Sequence, residues 1–102
     1  MRAFVVRFTE LSITRIRNGR SSIEKEGSDL DGIARELHSM AGEAGLLGMT
    51  EVMAFARAAE QATFALASSP SADRREAMVA ALDDVETALR NATRGIAAEP
   101  IS

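Results

Sequence analysis

Residues 30–47, LDGIARELHSMAGEAGLL, contain the pattern that decides the fold class of this chain. The apolar residues recur three and four positions apart, which is the spacing of one face of an α-helix. Ser28 or Asp29, just before the stretch, can accept the first free backbone N–H groups. The pattern predicts a helix from residue 29 to about 46 with a buried face made of Leu30, Ile33, Leu37, Met40, Ala41, Ala44 and Leu47.

Three further segments, at about residues 2–25, 50–67 and 74–96, show the same periodicity, and the turns at 26–29, 47–50 and 68–73 are short. Gly27 is expected to end the first helix, Thr50 to cap the third, and Asp73 with Glu76 to form a capping box for the fourth. The predicted buried faces are Val5, Phe8, Ser12, Ile16, Gly19 and Ile23, widened by Phe4 and Leu11; Val52, Phe55, Ala59, Ala62 and Leu66, flanked by Met53 and Phe64; and Met78, Leu82, Val85, Leu89, Ala92 and Ile96.

Four amphipathic helices joined by short turns can bury their apolar faces only against one another. The sequence therefore predicts an all-α fold, an antiparallel up-down-up-down four-helix bundle. We expect one domain over residues 1–102, with a core at about 2–96 and a frayed tail at 97–102. Because Met1 directly precedes the first helix and Ser102 follows the last, an independent single-domain protein is expected.

Composition excludes several classes of function. The chain has 102 residues, a net charge of −3 and no cysteine. Nucleic-acid binding favours a basic face, which this charge balance does not supply. The absence of cysteine rules out a disulfide scaffold, a thiol nucleophile and a cysteine-based metal site, and it fits a cytoplasmic location. No apolar run approaches the ~20 residues of a membrane span.

His38 is the one obvious nucleophile near neutral pH. It falls at the edge of the predicted buried face, about 110° from its centre at 100° per residue. Gly42 and Gly45, one and two turns further along the same side, leave room for a partner to approach the imidazole. Two other interpretations of His38 can be considered. It could be an ordinary surface histidine, or it could bind zinc, although the sequence lacks a recognisable set of further zinc ligands.

The stretch 37–48, LHSMAGEAGLLG, resembles the signature of histidine-containing phosphotransfer (HPt) domains. In that family the histidine is followed by an apolar residue, a glycine, and a later apolar–glycine pair, which match Met40, Gly42, Leu47 and Gly48. Residues 60–62, Glu-Gln-Ala, also look like the family. One position departs from it, because Ala41 stands where the family usually has lysine.

The resemblance implies a phosphorelay intermediate that takes a phosphoryl group onto His38 from a receiver-domain aspartate, or from a histidine kinase, and passes it to a response regulator. Such a carrier binds no cofactor, because the receiver domain supplies Mg²⁺. Arg35 could partly replace the family lysine, and Glu60 or Gln61 could hold the second imidazole nitrogen. Helix pairing places Arg15 and Ile16 level with His38, so they are expected, with Gly42 and Gly45, to lie on the docking surface.

Two alternatives remain open from the sequence. The chain could be a helical adaptor that binds a partner without chemistry, or a phosphotransfer domain cut from a larger, hybrid histidine kinase. It is not itself a kinase, because it has no phosphate-binding glycine motif. A monomer is expected rather than a dimer, with no nucleic-acid or membrane partner.

Overall fold

The computed structural model describes residues 2–23 and 29–98, which form four α-helices and the turns that follow the second and third of them. These are α1 (Arg2–Ile23), α2 (Leu30–Leu46), α3 (Thr50–Ser68) and α4 (Ala72–Ala98), with no strand among the described residues. The all-α prediction is confirmed. Helix α4 continues two residues past its predicted end, so residues 97 and 98 are helical. The described residues do not include the predicted end of the first helix near Gly27, the possible cap Ser28, or residues 99–102 of the predicted tail.

The ends of α2 follow the sequence signals. The Asp29 side chain accepts a hydrogen bond from the backbone N–H of Gly32, as an N-cap does. At the other end, Gly48 adopts φ of +75°, and the N–H groups of Gly48 and Met49 donate to the carbonyls of Gly45 and Ala44. This is the Schellman arrangement, in which a left-handed residue lets the chain satisfy the last carbonyls and turn away.

Two predicted caps are wrong. Thr50 is already inside α3, and the residue before it, Met49, makes no side-chain cap. At α4 the cap is Ser71, whose hydroxyl accepts a hydrogen bond from the backbone N–H of Arg74, 3.1 Å away. Helix α4 therefore begins before Asp73, which lies within its first turn. A serine two residues upstream captures the free N–H groups before an aspartate cap can form.

The four helices pack as a bundle, in which α2 packs on α3, α3 on α4 and α4 on α1, while α1 touches α2 only lightly. Most predicted core residues are buried, including Ile16, Leu37, Val52 and Leu82. The buried apolar core comprises Phe8, Ile16, Ile23, Ile33, Leu37, Met40, Ala41, Ala44, Val52, Ala56, Ala59, Leu66, Met78, Leu82, Val85, Ala88 and Leu89. The side chain of Ile96, predicted for the same core, is outside the described residues.

Four predicted core or flanking residues are exposed instead: Phe4, Leu11, Phe55 and Phe64. On α3 the buried face runs through Ala56 and Thr63 rather than Phe55, and Ala62 is half-buried against the core. Small side chains let α3 lie close to two neighbouring helices at once, whereas a phenylalanine there would hold them apart. None of the described helices is both long and apolar enough to cross a bilayer.

Ion pairs connect α1 to α4. Arg20 donates to Asp83 and to Glu86, and Arg90 donates to the other oxygen of Glu86. Burial opposes ionisation of Glu86, but the hydrogen bonds from Arg90 and Arg20 outweigh it and lower the pKa of that carboxyl. These ion pairs connect α1 to α4, the helix on which α1 packs most extensively.

Candidate functional site

His38 stands on the outer edge of α2 with 79% of its side chain exposed. One ring nitrogen is held, because Nδ1 lies 3.1 Å from Oε2 of Glu60 on α3. The carboxylate of Glu60 is itself mostly buried, with 13% of its side chain exposed. The site is therefore an accessible imidazole fixed at one end by a sheltered acidic group. The geometry agrees with the prediction that Glu60 contacts the second imidazole nitrogen.

The interface between α2 and α3 explains how these two residues meet. Close to the turn, Gly45 lies opposite Met53, and seven residues further along each helix His38 lies opposite Glu60. Seven residues are close to two helical turns, so both contacts fall on the same edge of each helix. The Schellman turn at Gly48 sets this register between the two helices.

The contact with Glu60 distinguishes the two ring nitrogens of His38. When the carboxylate of Glu60 is ionised it can only accept a hydrogen bond, and Nδ1 of His38 is then the donor. In the neutral ring Nε2 then has no hydrogen and keeps its lone pair. Since Nδ1 is engaged by Glu60, the atom available to an incoming electrophile is Nε2. The arrangement is that of an oriented nitrogen nucleophile.

The two glycines beyond His38 differ in their surroundings. A Cβ added at Gly42 would meet nothing within 4 Å, so the surface beside the imidazole is open there. A Cβ added at Gly45 would lie 3.1 Å from Sδ of Met53, a tight contact. Gly42 therefore has the environment expected of a docking surface. The structure gives Gly45 a packing role, the close approach of α2 to α3.

The structure separates the remaining residues predicted for the site. Arg35 and Arg15 line one shallow groove between α1 and α2, together with Ser39, and His38 is not part of that groove. Gln61 is exposed and makes no side-chain hydrogen bond among the described residues, so Glu60 alone holds the ring. The prediction that Ile16 lies on the docking surface is wrong. Only 2% of Ile16 is exposed, because it points into the core against Leu37.

Ala41 occupies the position of the family lysine, and it is 3% exposed. This position is thus part of the packed core between helices, and no cation stands there. Within the described ranges, 2–23 and 29–98, no group of three or more histidines and carboxylates could hold a metal ion.

Sequence reasoning missed an apolar groove between α1 and α2. It is lined mainly by Phe4, Phe8 and Leu11 of α1 and by Leu46 and Leu47 of α2. The sequence pattern predicts Phe4 and Leu11 in the core and gives no role to Leu46. The signal was available, because Leu46 lies nearly opposite the centre of the buried face of α2 at 100° per residue.

Comparison with known families gives one match. The family model described as Hpt domain matches residues 3–94, which is nearly the whole chain. Comparisons with curated proteins and with solved structures gave no match.

Proposed function

The chain belongs to the Hpt domain family, and from that premise we propose that it carries phosphoryl groups on Nε2 of His38 within a two-component phosphorelay. The donor is the phosphorylated aspartate of a receiver domain, or a histidine kinase, and the acceptor is the receiver domain of a response regulator. The single observation that carries this proposal is the state of His38. Its side chain is 79% exposed while Nδ1 is engaged by Glu60.

The proposed step is an in-line displacement at phosphorus. The lone pair of Nε2 forms the N–P bond as the P–O bond of the aspartyl phosphate breaks, and the electron pair of that bond leaves with the aspartate carboxylate. The imidazole gains positive charge in this step. Glu60 offsets that charge through the hydrogen bond from Nδ1 of His38, which strengthens when the donor becomes cationic. Transfer to the second receiver is the reverse of the same reaction.

The small bundle suits this chemistry because phosphoryl transfer depends mainly on positioning and charge stabilisation. We propose that the receiver domain supplies Mg²⁺ and that this chain binds no cofactor of its own. Its role is that of a phosphoryl carrier without kinase activity. The proposed docking surface is the outer face of α2 around His38 and Gly42, with Arg35 one turn away and Arg15 across the groove.

The helix order, the domain organisation and the location predicted from the sequence are also part of the proposal. An antiparallel up-down-up-down order is supported by two contacts between α2 and α3, Gly45 with Met53 and His38 with Glu60, and by two between α1 and α4, Arg17 with Glu86 and Arg20 with Asp83. We also propose that the chain is one domain over residues 1–102 and that it acts in the cytoplasm, where receiver domains are expected.

One observation favours a second candidate, an adaptor that binds receiver domains without accepting phosphate. Ala41 is buried where the family has lysine, so a cation that would hold the phosphoryl group is missing from α2 at that position. Arg35, on the neighbouring turn of α2, is the cation that we propose takes over part of that role.

A transfer assay separates the two candidates. The protein is incubated with a receiver domain that has been phosphorylated and freed of its kinase, and acid-labile phosphate on the chain is measured. We expect the native chain to gain phosphate and His38→Gln to gain none, while both bind the receiver with similar affinity. Binding without phosphate gain by the native chain would support the adaptor and contradict the carrier.

A further inference from the structure

The apolar groove between α1 and α2 exposes more large apolar surface than the rest of the described chain. Phe4 is 70% exposed, Leu11 53% and Leu46 86%, and all three line this one groove. Scattered single apolar residues are normal on protein surfaces, but a contiguous group of this kind marks an interaction site.

This groove is distinct from the contact between His38 and Glu60, which lies on the edge of α2 that faces α3. It meets the proposed docking surface at Glu43, which lines both the apolar groove and the groove of Arg15 and Arg35. The docking surface proposed around His38 and Gly42 does not include Phe4, Leu11 or Leu46, so it does not account for their exposure.

The groove carries one positive and one negative side chain, which makes it complementary in charge to a second copy of itself. Arg7 lies on the α1 wall and Glu43 on the α2 wall, and neither forms an ion pair among the described residues. A two-fold axis running along the groove would place α1 of one protomer over α2 of the other. Arg7 of each protomer would then face the partner's Glu43, and Leu46 would face the partner's Phe4 and Leu11.

From this complementarity we propose that the chain forms a two-fold dimer through the α1–α2 groove. In such an interface the same patch is used by both copies, so each favourable pair occurs twice. The proposal replaces the monomer expected from the sequence, and it does not depend on the phosphotransfer role of His38.

The size of the groove sets the strength of the dimer. A stable interface buries about 800 Å² on each partner. Three exposed side chains and two charges on short stretches of α1 and α2 supply only part of that area. The dimer is therefore weak and depends on concentration. His38 is not among the residues that line this groove, but Glu43 also lines the groove of Arg15 and Arg35, so the dimer interface meets the proposed receiver surface at that residue.

Sedimentation equilibrium between about 10 μM and 1 mM, the range in which weak complexes form, tests the proposal. The average mass should rise from 10.9 kDa towards twice that value as concentration increases. Leu46→Ser should abolish the rise. Arg7→Glu and Glu43→Arg should each weaken the dimer by about tenfold, since each reversal turns two attractive pairs into repulsive ones.

The decisive variant is the double reversal, Arg7→Glu with Glu43→Arg, which should restore dimerisation because the pairs are exchanged. Arg75→Glu, an equal charge change at an exposed position on α4, is the matched control and should have no effect. A mass of 10.9 kDa at every concentration would overturn the proposal. A double variant that dimerises as weakly as the single variants would also overturn it. So would a native chain that stays monomeric while Leu46→Ser loses binding to the receiver domain, because the groove would then be a receiver site.

Discussion

Nδ1 of His38 and Oε2 of Glu60 lie 3.1 Å apart across the interface between α2 and α3. This contact joins an exposed imidazole to a carboxylate that the bundle shelters. It supports the proposal that His38 presents one ring nitrogen to a partner while Glu60 holds the other. The imidazole is accessible, but its orientation is fixed by a contact between two packed helices.

Removing the carboxylate of Glu60 should slow phosphoryl transfer without unfolding the bundle. We expect Glu60→Ala to lower the single-turnover rate by about 10- to 100-fold, since a charged hydrogen bond contributes about 1.5–3 kcal/mol. Glu60→Gln should lose less, because its amide oxygen can still accept the hydrogen bond from Nδ1. Gln61→Ala is the matched neighbour and should leave the rate unchanged. Equal rates for Glu60→Ala and the native chain would contradict the role of Glu60.

Gly42 should tolerate side chains in the fold but not in the complex. A Cβ there meets no atom within 4 Å, so Gly42→Ala should raise the free energy of unfolding by up to about 1 kcal/mol through helix propensity. Gly42→Gln should also fold, yet weaken receiver binding by about tenfold or about 1.4 kcal/mol. Isothermal titration of both variants checks this. If Gly42→Gln binds as tightly as Gly42→Ala, the docking surface lies elsewhere.

Gly48 should respond to the same substitution in the opposite direction. It adopts φ of +75°, which residues with a Cβ rarely adopt. Gly48→Ala is therefore expected to lower the free energy of unfolding by about 1–2 kcal/mol in urea denaturation. Gly42→Ala provides the control, because it makes the same chemical change within a regular helix. Similar effects of the two substitutions would show that the turn after α2 does not need a left-handed residue.

The ion pairs around Glu86 should make stability depend on pH in a defined direction. The pKa of Glu86 is lowered in the folded state, so its contribution is complete above the ordinary glutamate pKa of about 4.3. That contribution is lost as pH falls through the lowered value. Glu86→Gln should cost about 1–2 kcal/mol at pH 7, a modest value because the arginine partners are partly exposed.

The pH dependence of that difference is the critical measurement. The stability gap between the native chain and Glu86→Gln should close as the solution is acidified from pH 7 to pH 3. Glu76→Gln, on an exposed position of α4 outside these ion pairs, should show no such trend. A gap that stays constant with pH would mean that the charge of Glu86 does not stabilise the packing of α1 on α4.

The fold could largely be predicted from the sequence because its periodic signals are strong where helices are deeply buried. The stripe on α4, from Met78 to Leu89, is buried as expected. Prediction failed where apolar residues occur in runs, as in 52–56, VMAFA, where both Phe55 and Ala56 fit a helical stripe. Only packing between helices selects the alanine. Caps were also ambiguous, because Ser71 and Asp73 compete for the start of α4.

The site was predictable in its centre and less so at its margins. The position of His38 at the edge of the α2 stripe indicated exposure, and the sequence offered both Glu60 and Gln61 as partners, of which Glu60 makes the contact. The height of Ile16 along the bundle can be predicted from the helix lengths. The direction in which its side chain points cannot, and it points into the core rather than to the docking surface. The outward position of Leu46 could be read from its angle on α2, but its grouping with Phe4 and Leu11 depends on how α1 and α2 pack.

The atom that receives the phosphoryl group tests the account most directly. After transfer from a phosphorylated receiver, ¹⁵N-labelled protein is examined by NMR for coupling between phosphorus and the ring nitrogens of its single histidine. We predict coupling to Nε2 of His38, with Nδ1 remaining the nitrogen that contacts Glu60. Phosphate on Nδ1, or acid-stable phosphate on any other residue, would contradict the central claim.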